Sequence, residues 1–146
     1  MATQLTAETC PPIPEPDALT QFFWDGVAEH RLCIQRCMNC RKFIHWPRIV
    51  CRFCLSTDLS PEVVSGRAVL DTWTLPAQPF DPYFRARIPY VLAVVELEEQ
   101  ARLKMVTNIV DCPEEELSID LPLQVVFREV APNVTLPLFR PISAKV

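Results

Sequence analysis

Apolar and polar positions along this chain change period twice. Residues 1–16 have no apolar period, and Pro11, Pro12, Pro14 and Pro16 exclude a helix, so an extended, disordered leader is expected there. Leu19, Phe22, Phe23 and Val27 then recur at three- and four-residue spacing, which predicts a short amphipathic helix over about 18–29. Asp17 or Thr20 can cap it, and Gly26 should weaken it. Arg31 to Arg36 and Lys42 to Trp46 read as two short strands, the second ended by Pro47.

Beyond a seam at Ser56 to Pro61, strand patterns dominate. Residues 63–75, 88–97, 102–110, 123–130 and 134–140 are five candidate strands, with Gly66 read as a bulge in the first. Cys112 to Asp120 leaves room for one helical turn at most. Five strands with a helical connection after the third predict a small closed barrel, an OB-fold or another five-stranded type. The fold class expected is therefore mainly β: a leader (1–16), a helix with a cysteine-rich piece (17–60) and a barrel (61–146).

Composition adjusts this picture at two points. Fifteen Pro against two Gly favour extended segments and rigid loops over long helices. No apolar run is long enough to span a bilayer, and Met1 to Cys10 lacks the basic start and apolar core of a secretory signal. Seven cysteines, four in a metal pattern, suit a reducing cytoplasm.

Those four are the strongest chemical signal. Cys37 and Cys40, then Cys51 and Cys54, form two Cys-x-x-Cys pairs separated by ten residues. Four thiolates from two tight turns make a tetrahedral set for zinc, with Zn–S near ~2.3 Å. The gap is shorter than the common spacing of about 15–20 residues. Two disulfides, or one redox pair, would each account for only half of the pattern. A four-cysteine set leaves no position for water, so the Zn2+ expected here is structural.

Charge is distributed unevenly. The net charge is −4, yet Arg31, Arg36, Arg41, Lys42, Arg48 and Arg52 lie between residues 31 and 54 with no acidic neighbour in sequence. The remainder carries eight basic and eighteen acidic residues. These cations either offset the zinc thiolates or form a site for a phosphate or an acidic partner surface. Residues 76–88 stand apart as a thirteen-residue loop with three Pro, three aromatics and two Arg, a composition that points to binding.

The order of several short motifs resembles one family. F-W-D-G (23–26), L-x-x-Q-R-C-x-x-C (32–40) and P-R-x-x-C-x-x-C (47–54) are similar to the zinc-ribbon/OB-fold acyl-CoA-associated proteins, catalogued as domain of unknown function 35. V-S-G-R (64–67), T-W-T (72–74), P-Y-V-L-A-V-V-E-L (89–97), T-N-I-V-D-C (107–112) and L-P-L-F-R-P (136–141) follow in the same order. The chain departs from the family where Arg41 and Leu55, not Gly, follow the cysteine pairs, and where His45 and Trp46 precede Pro47. The turns then require a non-Gly residue at positive φ.

The resemblance implies a rubredoxin-like zinc ribbon followed by an OB barrel. It also implies a non-catalytic partner subunit of a thiolase-superfamily enzyme, a thiolase, an acyltransferase or a sterol-carrier-type aldolase that cleaves a β-hydroxyacyl-CoA (including steroid side chains), or of a hydratase acting on acyl-CoA. A two-plus-two assembly would suit a dimeric partner. Candidate contacts with that partner or with acyl-CoA are Phe23, Trp24, Arg36, Arg48, Phe80, Tyr83, Phe84, Arg85, Arg87 and Tyr90. No catalytic residue is expected, since the chain has no phosphate loop and no nucleophile elbow. Cys10, Cys33 and Cys112 read as small buried residues sooner than as nucleophiles. The competing reading, a single-stranded nucleic-acid module stacking bases on Trp73, Tyr90 and Phe127, is opposed by the acidic charge of residues 62–146.

Overall fold

Asp17 shapes the entry to the first helix. Its carboxylate accepts from the backbone N–H of Leu19 (3.0 Å) and Thr20 (2.8 Å) and from the Thr20 hydroxyl (2.7 Å), making a turn of its own. In this computed structural model, which describes residues 10–78 and 80–142, helix α1 therefore begins later than expected and spans Gln21–Ala28. Residues 1–9 of the expected leader lie outside the described residues. Cys10 and Pro11 are buried, while Ile13, Pro14 and Pro16 line a shallow groove with Trp24 and Ala28.

Gly26 proves to be a point of close approach. A Cβ there would meet Cys33 Sγ at 2.7 Å and the Arg31 carbonyl at 2.9 Å. Its missing side chain lets the chain fold back from α1 into strand β1 (Cys33–Cys37). β1 pairs with β2 (Phe43–Ile44) on one side and β3 (Leu59–Val63) on the other, both antiparallel. The stretch read as a seam thus supplies most of β3. Its Pro61, opposite Gln35, hid the strand, because proline is tolerated only on an outer strand such as this one.

Five further strands follow: β4 (Arg67–Thr74), β5 (Val91–Leu97), β6 (Lys104–Ile109), β7 (Pro122–Ala131) and β8 (Val134–Pro141). They close in the order β4-β5-β6-β8-β7 through antiparallel pairs and one parallel contact, Ile109 with Phe139. This is the expected OB-type barrel, with a single 3-10 turn at Glu114–Glu116 after its third strand. Alternation sets the inner face: Val91, Ala93, Val95 and Leu97 of β5 point inward.

Two details differ from expectation. The bulge in β4 lies between Leu70 and Thr72, not at Gly66. Gly66 stands just before the strand at φ 73°, where a Cβ would lie 2.2 Å from Val125 Cγ1. The loop before β5 also contains a short helix, α2 (Pro82–Arg85), with Asp81 accepting from the Tyr83 N–H at 2.8 Å and Pro at its first position.

One apolar core joins all three parts. Phe23 and Val27 of α1, Ile34 and Phe43 of the ribbon, and Leu70, Val95, Leu123 and Phe139 of the barrel belong to it. A second, small cluster holds Cys37, Cys51 and Ile44, with Cys40, Cys54 and Leu59 against them.

Candidate metal centre and partner surface

Two turns of the same design present the four cysteines. The Arg41 N–H donates to the Cys37 carbonyl (2.9 Å), and the Cys37 N–H donates to the Lys42 carbonyl (2.9 Å). In the second turn Leu55 N–H donates to Cys51 (2.9 Å), and Cys51 N–H to Ser56 (2.8 Å). Arg41 and Leu55 hold φ of 65° and 63°, so the non-Gly residues do occupy the left-handed conformation that the turns demand.

All four Sγ atoms lie within 4.8 Å of one another, with 3.6 Å between Cys37 and Cys54 and between Cys40 and Cys51. A tetrahedron with Zn–S near ~2.3 Å has sulfur–sulfur edges of about 3.8 Å, so this donor set fits zinc. The cysteines are unbridged, and all four sulfurs converge on one point, which the zinc reading accounts for and a pair of separate Cys-x-x-Cys units does not. Asn39 Nδ2 donates to Cys54 Sγ (3.5 Å), and that hydrogen bond leads in holding the Cys54 thiol down at about 6. The Phe53 N–H points at Cys51 Sγ (3.4 Å). The Asn39 donor favours the Cys54 thiolate, the form that binds metal. With every corner taken by sulfur the site can hold chain together but cannot activate water.

His45 does not join the cluster. Its ring stacks on Trp46 (4.4 Å) and leans on Phe23 (5.9 Å), and burial pushes its pKa down to about 4. Nε2 is buried without a hydrogen-bond partner.

The basic run is partly neutralised by a residue outside it. Arg36 Nη1 pairs with Glu62 on β3 (2.6 Å), and Arg41 reaches the same carboxylate at 3.7 Å. Arg36 also lies over the Phe43 ring at 4.5 Å, so it is tied down rather than free. Arg31 pairs with Glu29. Arg48 is exposed, and its backbone is clamped at both N–H and C=O by the Gln35 amide (2.8 and 2.9 Å).

The aromatic loop keeps most of its candidates at the surface. Tyr83, Phe84 and Tyr90 form a half-buried ladder with centroids 5.0 and 4.8 Å apart. Arg87 covers Tyr83 at 3.7 Å and donates to its carbonyl (2.6 Å). Arg85 is exposed, and Phe80 is 96% exposed. Trp24 is half-buried, edge-on to Phe23 at 5.1 Å. Phe23 is the exception among the candidate contacts. At 1% exposure it is a core residue with no surface to offer.

The remaining cysteines are packing residues. Cys33 fills the space against Gly26, and burial pushes its thiol up, as it does for Cys112. Cys10 Sγ donates to the Pro11 carbonyl (3.3 Å). Of the stacking candidates, Trp73 and Phe127 pack against the core, and Phe127 stacks on His30 at 5.4 Å.

One structural device had no signal in the sequence. The Gln100 amide, from the turn between β5 and β6, donates to the Phe43 carbonyl (3.1 Å) and accepts from its N–H (2.8 Å). It acts as one more rung beside β2 and fixes the ribbon against the barrel. A lone glutamine in a turn gives no period and no motif by which to find it.

Comparison with known proteins agrees with this architecture. The family model for the ChsH2 rubredoxin-like zinc ribbon domain matches residues 24–60, and that for the ChsH2 C-terminal OB-fold domain matches residues 62–128. The chain is 34% identical over 130 residues to a probable enoyl-CoA hydratase alpha subunit of Thermomonospora curvata, covering 89% of this chain but only 40% of that relative. It is 33% identical over 118 residues to a DUF35 domain-containing scaffold protein of Methanocaldococcus jannaschii, covering 78% of this chain and 80% of the relative. Among solved structures, a chain of an Ltp2–ChsH2(DUF35) aldolase superposes with a TM-score of 0.79 at 32% identity, covering 88% of this chain and 98% of that one.

Proposed function

We propose, because this chain belongs to the DUF35 family of ChsH2-type zinc-ribbon and OB-fold proteins, that it is a non-catalytic accessory subunit of a thiolase-fold enzyme acting on acyl-CoA. The observation that carries this reading is the 98% coverage, at 32% identity, of a chain from an Ltp2–ChsH2(DUF35) aldolase. The reaction at the partner's active site would be retro-aldol cleavage of a β-hydroxyacyl-CoA, with a steroid side chain as one acyl group of that class. The site chemistry is consistent: the one metal centre found among the described residues is closed, Cys10 and Cys33 are buried, and Cys112 is half-buried against the core. Among the described residues no helix is long and apolar enough to cross a membrane.

The partner-facing surface in this reading is the loop from Phe80 to Tyr90, with Trp24 and Arg48 beside the ribbon. An aromatic ladder with arginine at its rim is the composition enriched at interface centres. The same surface borders the route by which acyl-CoA reaches the partner. Co-expression with a thiolase-fold protein of the native host, followed by light scattering and a cleavage assay, tests the proposal. The expected result is a stable hetero-oligomer, two plus two, whose turnover falls when this chain is left out. Replacing Arg85 and Arg87 together by Ala should weaken the complex about tenfold or more. A monomer that leaves the enzyme's turnover unchanged would overturn the reading.

The similarity to a hydratase alpha subunit favours a second reading, in which the partner machinery hydrates an enoyl-CoA. The product formed by the purified complex, a hydrated or a cleaved acyl-CoA, separates the two.

A further inference from the structure

On the outer wall of the barrel, three polar side chains share one rung. Arg67 of β4 pairs with Gln124 of β7, and Gln124 pairs with Arg140 of β8. Their neighbours Ala68, Leu123 and Phe139 are buried in the core, so the three themselves face outward together. Cross-strand partners on a rung stand about 5 Å apart, which sets the two arginines about 10 Å apart with the glutamine between them. Both arginine side chains are long enough to converge above it.

Residues 62–142 contain twelve acidic side chains, and Lys104 and Arg128 find partners among them, in Asp71 and Asp111. Arg67 and Arg140, like the exposed Arg85, Arg87 and Arg102, form no ion pair among the described residues; Arg67 borders Glu96 and Glu98 in the adjoining cavity without pairing with either. The carboxylate that shares their cavity, Asp111, is held bidentate by Arg128 at 2.6 and 2.7 Å, its charge already answered. Gln124 is fixed by donating to the Ser65 carbonyl at 3.2 Å. The cavity over the rung has a volume of about 420 Å³ and is lined by Arg67, Asp111, Gln124, Arg140, Pro141 and Ile142. Two exposed like charges about 10 Å apart repel only weakly in salt, so the pair costs little when empty and offers an anion seated between them two cationic partners.

We propose that the Arg67–Gln124–Arg140 rung is a binding site for a phosphate-type oxyanion, gripped by two guanidinium forks. Arginine is suited to this task because its planar donors match the oxygens of a phosphate pairwise, which a lysine cannot do. The site lies on the β4-β7-β8 wall and does not depend on the accessory-subunit reading.

The test is a titration of the whole chain with inorganic pyrophosphate, and separately with inorganic phosphate, followed by amide and arginine side-chain NMR at low ionic strength. The expected result is a saturable shift confined to residues 65–67, 124 and 140–142. R67Q and R140Q should each weaken it about tenfold, and R67K should weaken it too despite keeping the charge. A response to either probe supports the site. A larger response to pyrophosphate identifies a phosphoanhydride, and an equal one a phosphate monoester. Absence of any saturable shift overturns the proposal. So does a shift that R67Q and R140Q leave intact, or one centred on the other basic groove, at Lys42, Arg52 and Arg102.

Discussion

The ribbon tip and the barrel solve the same problem by different means. Around the cysteines, buried apolar volume is slight: Ile44 fully buried and Leu59 partly so, beside the sulfurs themselves. The barrel encloses Leu70, Val95, Leu97, Leu123 and Phe139, each at 1% exposure or less. A barrel of this kind is held by apolar area removed from water, at about 25 cal/mol per Å². The tip has no such reserve and must be held by its metal. The two regions should therefore fail separately, and the largest prediction is built on that. Stripping zinc with a chelator, or replacing Cys51 by Ser, should remove on the order of 10 kcal/mol of local stabilisation. Hydrogen exchange would show residues 37–56 losing protection while β5 and β6 keep theirs. Simultaneous loss in both regions would mean that the shared core and the Gln100 clamp bind them into a single cooperative unit.

The second prediction strikes the barrel alone. Phe139→Ala opens a cavity where the side chain is fully buried and should cost about 3–5 kcal/mol. Bound zinc, measured by mass spectrometry under native conditions, should remain at one per chain. Gly66→Ala acts on the same region through the backbone, since its Cβ would collide with Val125 in a left-handed conformation. A cost of about 2 kcal/mol or more is expected in thermal unfolding.

The contrast also explains what the sequence made legible. Four cysteines announce the ribbon because metal ligation restricts both residue type and spacing. The barrel strands are legible through period-two alternation, and all five lie within a few residues of where the pattern put them. What stayed hidden depends on contacts across long sequence separation. β3 pairs with a strand 26 residues upstream at its centre and carries a proline. The Glu62 partner of Arg36 and Arg41 lies on it, so the basic run looked freer than it is. By pattern alone Phe23 suits both the inward apolar face of the helix and a partner contact, and α1 turns it inward onto His45 and Trp46. Gly26 reads as local weakness and Gly66 as a bulge, though each marks a place where another chain segment passes too close for a Cβ.

His45 sharpens the comparison from the aromatic side of the ribbon. Burial lowers its pKa from the ordinary 6.5 to about 4, so the fold prefers the neutral ring. Below pH 6.5 the unfolded chain takes up a proton that the folded chain refuses. Stability is thus intact above pH 6.5 and is lost as pH falls toward 4, by about 3 kcal/mol. Zinc thiolates lose stability in the same acid range, so the difference between wild type and His45→Phe is the quantity to measure. The variant should show a shallower decline between pH 6.5 and 4. Identical slopes would assign the whole acid effect to the metal centre.

The smallest effect is a gain, and it isolates the cost of the two departures from glycine in the cysteine turns. Leu55 is 77% exposed and sits at φ 63°, so its side chain contributes little packing while its Cβ crowds the left-handed backbone. Replacing it with Gly relieves that crowding, worth about 1 kcal/mol, against the extra entropy that glycine loses on folding. The net should be stabilising by a few tenths of a kcal/mol to about 1, seen as slower zinc release to a competing chelator. Arg41→Gly relieves the same strain but also removes the 3.7 Å contact with Glu62, an exposed pair worth little. The two variants should therefore behave alike. If Arg41→Gly instead accelerates zinc release while Leu55→Gly slows it, the basic side chains contribute to holding the thiolates, and charge joins metal ligation in stabilising the tip.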